Sequence, residues 1–287
     1  MLLMIFLIVL SVCSTVLNNV LCNHVGKKYS ERSDMVKRFQ FFAFLSCFVV
    51  FVVLACFESF SLYTVLVGVL FGVVAFLSTH FCILAMSSGP MHITVLVVTA
   101  SMLIPTLSGC LFFGEPFSIF KLIAALILVV FLYLASAAEK GKKINVKWLI
   151  YCSIAFLAGG IIGVLQKVHQ SSTHSDEFYL FLASAFLVAT LFAMFNKKQE
   201  NQSVEKISIK FLGISLLSGA CVFAMYVINT KLSGQLPSQL FFPLINGSNV
   251  VISSLLSFTV FKEKMSVKQL VGIAGGLLCL IAICVLP

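Results

Sequence analysis

A chain of 287 residues that is 60% hydrophobic and only 10% charged cannot clothe a folded surface for water, because soluble domains carry roughly 25% charged residues. With a mean hydropathy of +1.11, a polytopic membrane protein is expected. The net charge of +9 does not point to nucleic acid, since the basic residues sit in short loops between apolar runs and form no continuous stripe.

A membrane-crossing helix needs roughly 20 apolar residues. Ten segments qualify: Leu2–Cys22, Phe39–Phe57, Ser61–Met86, Ile93–Phe113, Phe120–Ala138, Trp148–Lys167, Phe178–Asn196, Phe211–Asn229, Leu240–Phe261 and Leu270–Leu286. The first is read as a retained span, because it lacks the basic n-region and small-residue cleavage pattern of a signal peptide. Ser87-Ser88-Gly89-Pro90 divides an otherwise overlong run, and Gly234-Gln235-Leu236-Pro237 does the same later. The ten cysteines lie in or at the ends of apolar runs without C-x-x-C spacing. They read as small buried hydrophobes, and neither a metal nor a cofactor is expected.

The chain repeats itself. Phe113, Glu115 and Ser118 correspond to Phe261, Glu263 and Ser266 at a constant offset of 148 residues, each trio forming a turn between two apolar spans. Residues 1–138 and 148–287 are therefore expected to be two five-helix repeats joined by a cytoplasmic linker, 139–147. Gly68 and Gly72, Gly159 and Gly163, and Gly272 and Gly276 have the G-x-x-x-G spacing that lets helices approach closely in lipid.

Charge sets the expected orientation. Sixteen of the nineteen Lys and Arg residues fall in the first, fifth, seventh and ninth loops, leaving Lys121, Lys167 and Lys231 for the opposite side. The positive-inside rule then makes the odd-numbered loops cytoplasmic and both termini extracytoplasmic. Because five is odd, the two repeats are inverted with respect to each other. That is a recurrent design of secondary transporters.

All ten carboxylates lie in or beside loops. Nothing acidic is placed for general acid–base catalysis in mid-membrane, and neither H-E-x-x-H nor G-x-S-x-G occurs. An enzyme is not expected. Uncharged polar residues remain as candidates: Asn18 in the first span, Tyr226 and Asn229 in the eighth, and Asn246 and Asn249 in the ninth beside Pro243, which is expected to break that helix. A single Ser or Thr reads as bonding its own helix backbone. Among the acidic and basic side chains His80 alone lies well inside a span, and it could carry a proton. Lys167 and Lys231, near helix ends, are expected to snorkel to the headgroups, or, if turned inward, to contact an anion. Asn246-Gly247-Ser248 and Asn201-Gln202-Ser203 match the glycosylation pattern, but one lies inside a span and the other in a cytoplasmic loop.

These features resemble the drug/metabolite transporter superfamily, in particular proteins with two EamA domains. The resemblance covers the whole chain and rests on the five-plus-five layout, the turns at Glu115 and Glu263, the last span with Gly272, Gly275 and Gly276, and the Gly-Pro and Leu-Pro steps before the fourth and ninth spans. It implies an all-α integral membrane protein with a central cavity between inverted repeats, working by alternating access. Family members are often drawn with cytoplasmic termini, whereas the charge count here places both outside. The expected function is multi-pass transport of a small organic metabolite, amino-acid-like solute or drug across the cell membrane. Polar contacts would come from Asn18, His80, Tyr226, Asn229, Asn246 and Asn249. The alternative is a non-transporting scaffold or accessory subunit, whose polar residues would point into helix–helix contacts.

Overall fold

The apolar runs fold as helices. The computed structural model describes residues 2–29, 32–88, 91–135, 146–194, 207–259 and 266–286, with no strand among them. The helices are α1 (Leu2–Lys28), α2 (Ser33–Ala55), α3 (Leu62–Ser88), α4 (Met91–Ala100), α5 (Leu103–Phe112), α6 (Ile119–Ala135), α7 (Val146–Gln170), α8 (Phe178–Met194), α9 (Ile209–Gln235), α10 (Ser238–Thr259) and α11 (Val267–Val285). Six of them, α1, α2, α3, α7, α9 and α11, are long and apolar enough to cross a membrane. The Glu263 turn, Gly89-Pro90, most of the 139–147 linker and the Asn201 sequence lie outside the described residues.

The expected fourth span is two helices. Pro105 has no N–H, and its ring collides with the carbonyl four residues back, at Ser101. The chain answers with tight three-residue turns: Ser101 N–H donates to Val98 O, Met102 to Thr99 O and Ile104 to Ser101 O. Helix α7 fills the resulting notch with glycines. A Cβ on Gly159 would stand 2.8 Å from Ser101 Oγ, and one on Gly163 would stand 2.7 Å from the Pro105 ring. Pro243 has the opposite outcome. The sequence marks it as a helix breaker, but α10 runs through it unbroken. It sits early in the helix, so the carbonyl it must avoid lies in the first turn.

Close packing of α3 on α8 follows from the other glycine pair. A Cβ on Gly72 would meet Ala185 O at 2.1 Å, and one on Gly68 would meet Phe181 O at 2.6 Å. Around this seam Phe71, Phe181, Phe186, Phe51 and Tyr226 form one core. A second core joins α1, α4, α5, α6, α9, α10 and α11 through residues such as Leu128, Leu132, Phe241 and Ile283. The partners are regular: α2 packs on α8, α6 on α11 and α5 on α10, while α3 packs on α7 and α8 and α9 packs on α1 and α2.

Contacts also group the connections into two sets. Leu180 N–H donates to Glu58 (2.8 Å) and Ser59 Oγ to Glu177 (3.1 Å), while Ser238 N–H donates to Glu115 (2.7 Å). Lys167, near the end of α7, pairs with Glu115 and donates to Ser233 O, so the connections at 56–61, 113–118, 171–177 and 236–237 gather at one end, the Glu115 end. Elsewhere Trp148 Nε1 donates to Thr94 Oγ1 at 2.8 Å, and Val25, Met35, Ile83 and Phe211 cluster. Those contacts join the starts of α2, α4, α7 and α9 to the ends of α1 and α3.

The Glu115 turn is built from its own residues. Gly114 has φ +62°, a conformation that glycine adopts without strain. Beyond it Glu115 N–H returns to Gly109 O, closing the end of α5. Ser118 Oγ then accepts from Lys121 N–H to start α6, while Ser266 and Gln269 form a reciprocal capping box at the start of α11. The two serines, 148 residues apart, each cap the helix that follows them.

Candidate functional site

A small cavity of about 30 Å³ lies between α1, α2, α3 and α9, with room for roughly two water molecules. Its wall includes Asn18, Cys22, Phe39, Gln40, Thr79, Ser218, Met225 and Tyr226, and none of its lining residues is Asp, Glu, Lys or Arg. The helices that build it are held by polar bonds between α1 and α9. Ser218 Oγ donates to Asn18 Oδ1 at 2.7 Å, and Ser11 Oγ donates to Asn229 Oδ1 at 2.5 Å. Thr79 returns its hydroxyl proton to Ala75 O in its own helix, leaving its oxygen as an acceptor.

Gln40 is the least satisfied member of this wall. Its side chain is 2% exposed, and its Oε1 stands 3.0 Å from His80 Nδ1. With Nδ1 protonated, the imidazole donates to the amide oxygen and stacks on Phe76 at 5.3 Å. Gln40 Nε2 meets no hydrogen-bond partner. Leaving such a donor dry costs about 1–3 kcal/mol, more than a typical hydrogen bond contributes.

The candidate residues read from sequence separate here. Asn18 and Tyr226 line the cavity, and His80 stands behind Gln40. Asn229 bonds Ser11, Asn249 Oδ1 lies 3.5 Å from Asn19 Nδ2, and Asn246 Nδ2 donates to Phe242 O in its own helix. Gln40, Thr79 and Ser218 are wall residues that sequence reading passed over. Gln40 follows directly on Phe39, the expected start of the second span, and so looked like a boundary residue. A polar amide just inside an apolar run was the signal that could have marked it.

Neither candidate lysine reaches the cavity wall. Lys167 does not snorkel: it is 6% exposed, its Nζ stands 2.5 Å from Glu115 Oε1, and it donates to Ser233 O (3.0 Å) and Leu236 O (3.3 Å). A buried ammonium is tolerated only with such partners. The second Glu115 oxygen accepts from Ser238 N–H at the start of α10, where a carboxylate also complements the helix dipole. In the same junction Gln239 Oε1 accepts from Ser118 N–H, while Gln239 Nε2 and Ser238 Oγ meet no partner. Lys231 is exposed and lies over the rings of Phe178 (4.8 Å) and Tyr179 (5.7 Å), a cation–π arrangement.

Beside it two carboxyls are pushed in opposite directions. Burial, with the nearby Glu177 charge adding to it, raises Glu58 above its ordinary value, against the backbone bonds from Leu180 and Tyr179 and the Lys231 charge. Burial would raise Glu177 too, but the nearby Thr64 hydroxyl and the hydrogen bonds with Ser59 and His174 outweigh it and hold that carboxyl below its ordinary value. Among the described residues no group of His, Cys, Asp and Glu is arranged to hold a metal.

No family model and no curated protein matches this chain. A solved structure described as "Crystal structure of protein" superposes with a TM-score of 0.65 over 96% of this chain and 99% of that one, at 16% sequence identity. At that identity the likeness is one of fold, and it extends over both chains nearly in full.

Proposed function

We propose that the chain is a multi-pass carrier in a cell membrane that moves a small organic solute by alternating access between two inverted five-helix repeats, as the resemblance to two-EamA-domain transporters implies. The observation that carries this reading is the uncharged polar cavity between α1, α2, α3 and α9, buried among helices with no enzymatic constellation beside it. Two further features support it. Exchanging the halves turns the pairing of α3 with α7 and α8 into that of α9 with α1 and α2, and leaves α2 on α8 and α6 on α11 unchanged. That is the pattern expected of repeats related by a pseudo-two-fold axis. The grouping of connections into two sets also suits spans of alternating direction.

A scaffold role draws on Asn229, Asn246 and Asn249, which are taken up by helix contacts. It leaves the cavity between α1, α2, α3 and α9 without a purpose. The test is uptake from a mixed metabolite extract by proteoliposomes containing the full chain, read by mass spectrometry. Time-dependent accumulation of at least one solute beyond empty liposomes is expected. Accumulation of none of them would favour the scaffold.

A further inference from the structure

We infer that the Glu115 end is the shut gate of the carrier, closed by two first-half carboxylates, Glu58 and Glu115, seated on the first turns of the second-half helices α8 and α10. The inference rests on the transport reading and adds to it a conformation and the contacts that hold it.

The bonds that gather this end run between the halves of the chain. Glu58 accepts from Leu180 N–H, and Ser59 donates to Glu177. Glu115 pairs with Lys167 and accepts from Ser238 N–H, and Ser118 N–H donates to Gln239. Each of these joins a residue before the 139–147 linker to one after it. Neither α8 nor α10 has an acidic residue in its own first turn. The negative charge that a helix N-terminus favours therefore reaches both from the other half. When the halves part at this end, both helices lose it.

Such contacts suit a closure that is made and undone. A carboxylate, an ammonium and a helix N–H can each exchange their partner for water, so an intact buried pair adds little net stability. Removing one partner has a different result, because the charge left behind is then tolerated only where water reaches it, in the open form. The cavity stands clear of the closure. Asn18 and Cys22 lie late in α1, Phe39 and Gln40 early in α2 and Thr79 late in α3, all toward the opposite end. On the side nearer Glu115, Phe71 meets the rings of Phe181 at 5.0 Å and Tyr226 at 5.6 Å. With the orientation expected from charge, this is the form shut to the outside.

The test places spin labels at Phe60→Cys and Asp176→Cys, exposed positions next to the bonded Ser59 and Glu177. The full chain is used, with its unburied thiols Cys13, Cys56, Cys82, Cys110 and Cys284 replaced by Ala. In proteoliposomes, pulsed electron spin resonance is expected to give one short distance between the labels. Lys167→Met is expected to add a longer one, moving the open-to-closed ratio by about a hundredfold or more. Adding Glu115→Gln to that chain is expected to remove it. The short distance alone in every variant would make this end a fixed junction and overturn the gate. A second arm needs no destabilised variant. A short, reducible bifunctional thiol reagent joining the same two cysteines is expected to stop uptake from a metabolite extract, and reduction to restore it, with either single-cysteine chain unaffected. Uptake that continues through the linked chain would overturn the gate and leave transport standing. Absence of uptake by the unlinked chain would overturn the transport reading, and the gate with it.

Discussion

The Glu115 end and the cavity are both polar and both buried, but only the first is held by an ion pair. At the Glu115 end the carboxylate has Lys167 on one oxygen and Ser238 N–H on the other, and the ammonium has two carbonyls besides. On the cavity wall no charge is present, and the Gln40 amide nitrogen, like Gln239 Nε2 and Ser238 Oγ at the Glu115 end, has no partner. Charges that are mutually answered hold elements together: here the turn after α5, the end of α9 and the starts of α10 and α6 converge on one ion pair. The cavity wall is held by neutral bonds instead, such as Gln40 to His80 and Ser218 to Asn18. The contrast is between a junction held by charge and one held by neutral hydrogen bonds.

Removing one half of the ion pair is the sharpest way to break this comparison. Lys167→Met leaves Glu115 buried without its counter-charge, and loss of about 3–5 kcal/mol of stability is expected, read as a lowered unfolding midpoint of the purified protein. Adding Glu115→Gln to Lys167→Met is expected to recover much of that loss, because no uncompensated charge then remains. If Lys167→Met instead left stability intact and abolished uptake, the lysine would belong to the substrate path and the division drawn here would fail.

The cavity should answer in the opposite sense. Exchanging Gln40 and His80 together for Leu and Phe removes the unpaired amide and its imidazole partner at once. Replacing both members of a polar pair by apolar groups of similar shape is close to neutral for stability, so a change within about 1 kcal/mol is expected, alongside loss of uptake. A large loss of stability in this double variant would make Gln40 an architectural residue like Lys167. Ser218→Ala is a milder probe. It frees Asn18 Oδ1 from its 2.7 Å bond, at a cost of about 1 kcal/mol, and should lower uptake less than the double variant does.

Much of this architecture is legible in the sequence because it is written in long runs. Helix positions follow from apolar length, the α3–α8 seam from Gly68 and Gly72, and the equivalent caps from Ser118 and Ser266. What stays hidden depends on which way one side chain turns. A lysine near a helix end reads alike whether it reaches for headgroups or for Glu115, which lies far away in sequence. Pro105 and Pro243 look equally disruptive, yet only the first breaks its helix, since the cost depends on whether a preceding turn already exists to be broken. Asn246 and Asn249 advertise a site by composition, but Phe242 O and Asn19 take up their amides. Gln40 advertises nothing, yet its amide nitrogen is buried without a partner.

The smallest expected effect concerns the loop pair that adjoins the ion pair at the same end. Glu177 is held below its ordinary carboxyl value, so its contribution to stability is present above that ordinary value and is lost as pH falls through the lowered one. Glu58 is raised, so its contribution is complete below the ordinary value and is lost as pH rises through the raised one. From neutral toward acid, stability should therefore first rise as Glu58 takes up a proton and sheds its repulsion with Glu177. It should then fall once Glu177 is protonated and its bonds to Ser59 and His174 weaken. Each limb is worth less than about 1 kcal/mol, because Glu58 is partly exposed and because burial opposes the hydrogen bonds at Glu177. Unfolding midpoints measured across this range should show a maximum between the two limbs. Glu58→Gln should erase the rise and keep the acid-side fall, and Glu177→Gln should erase the fall. A profile unchanged by either substitution would mean that these loops, unlike Glu115 and Lys167, contribute nothing through their charge.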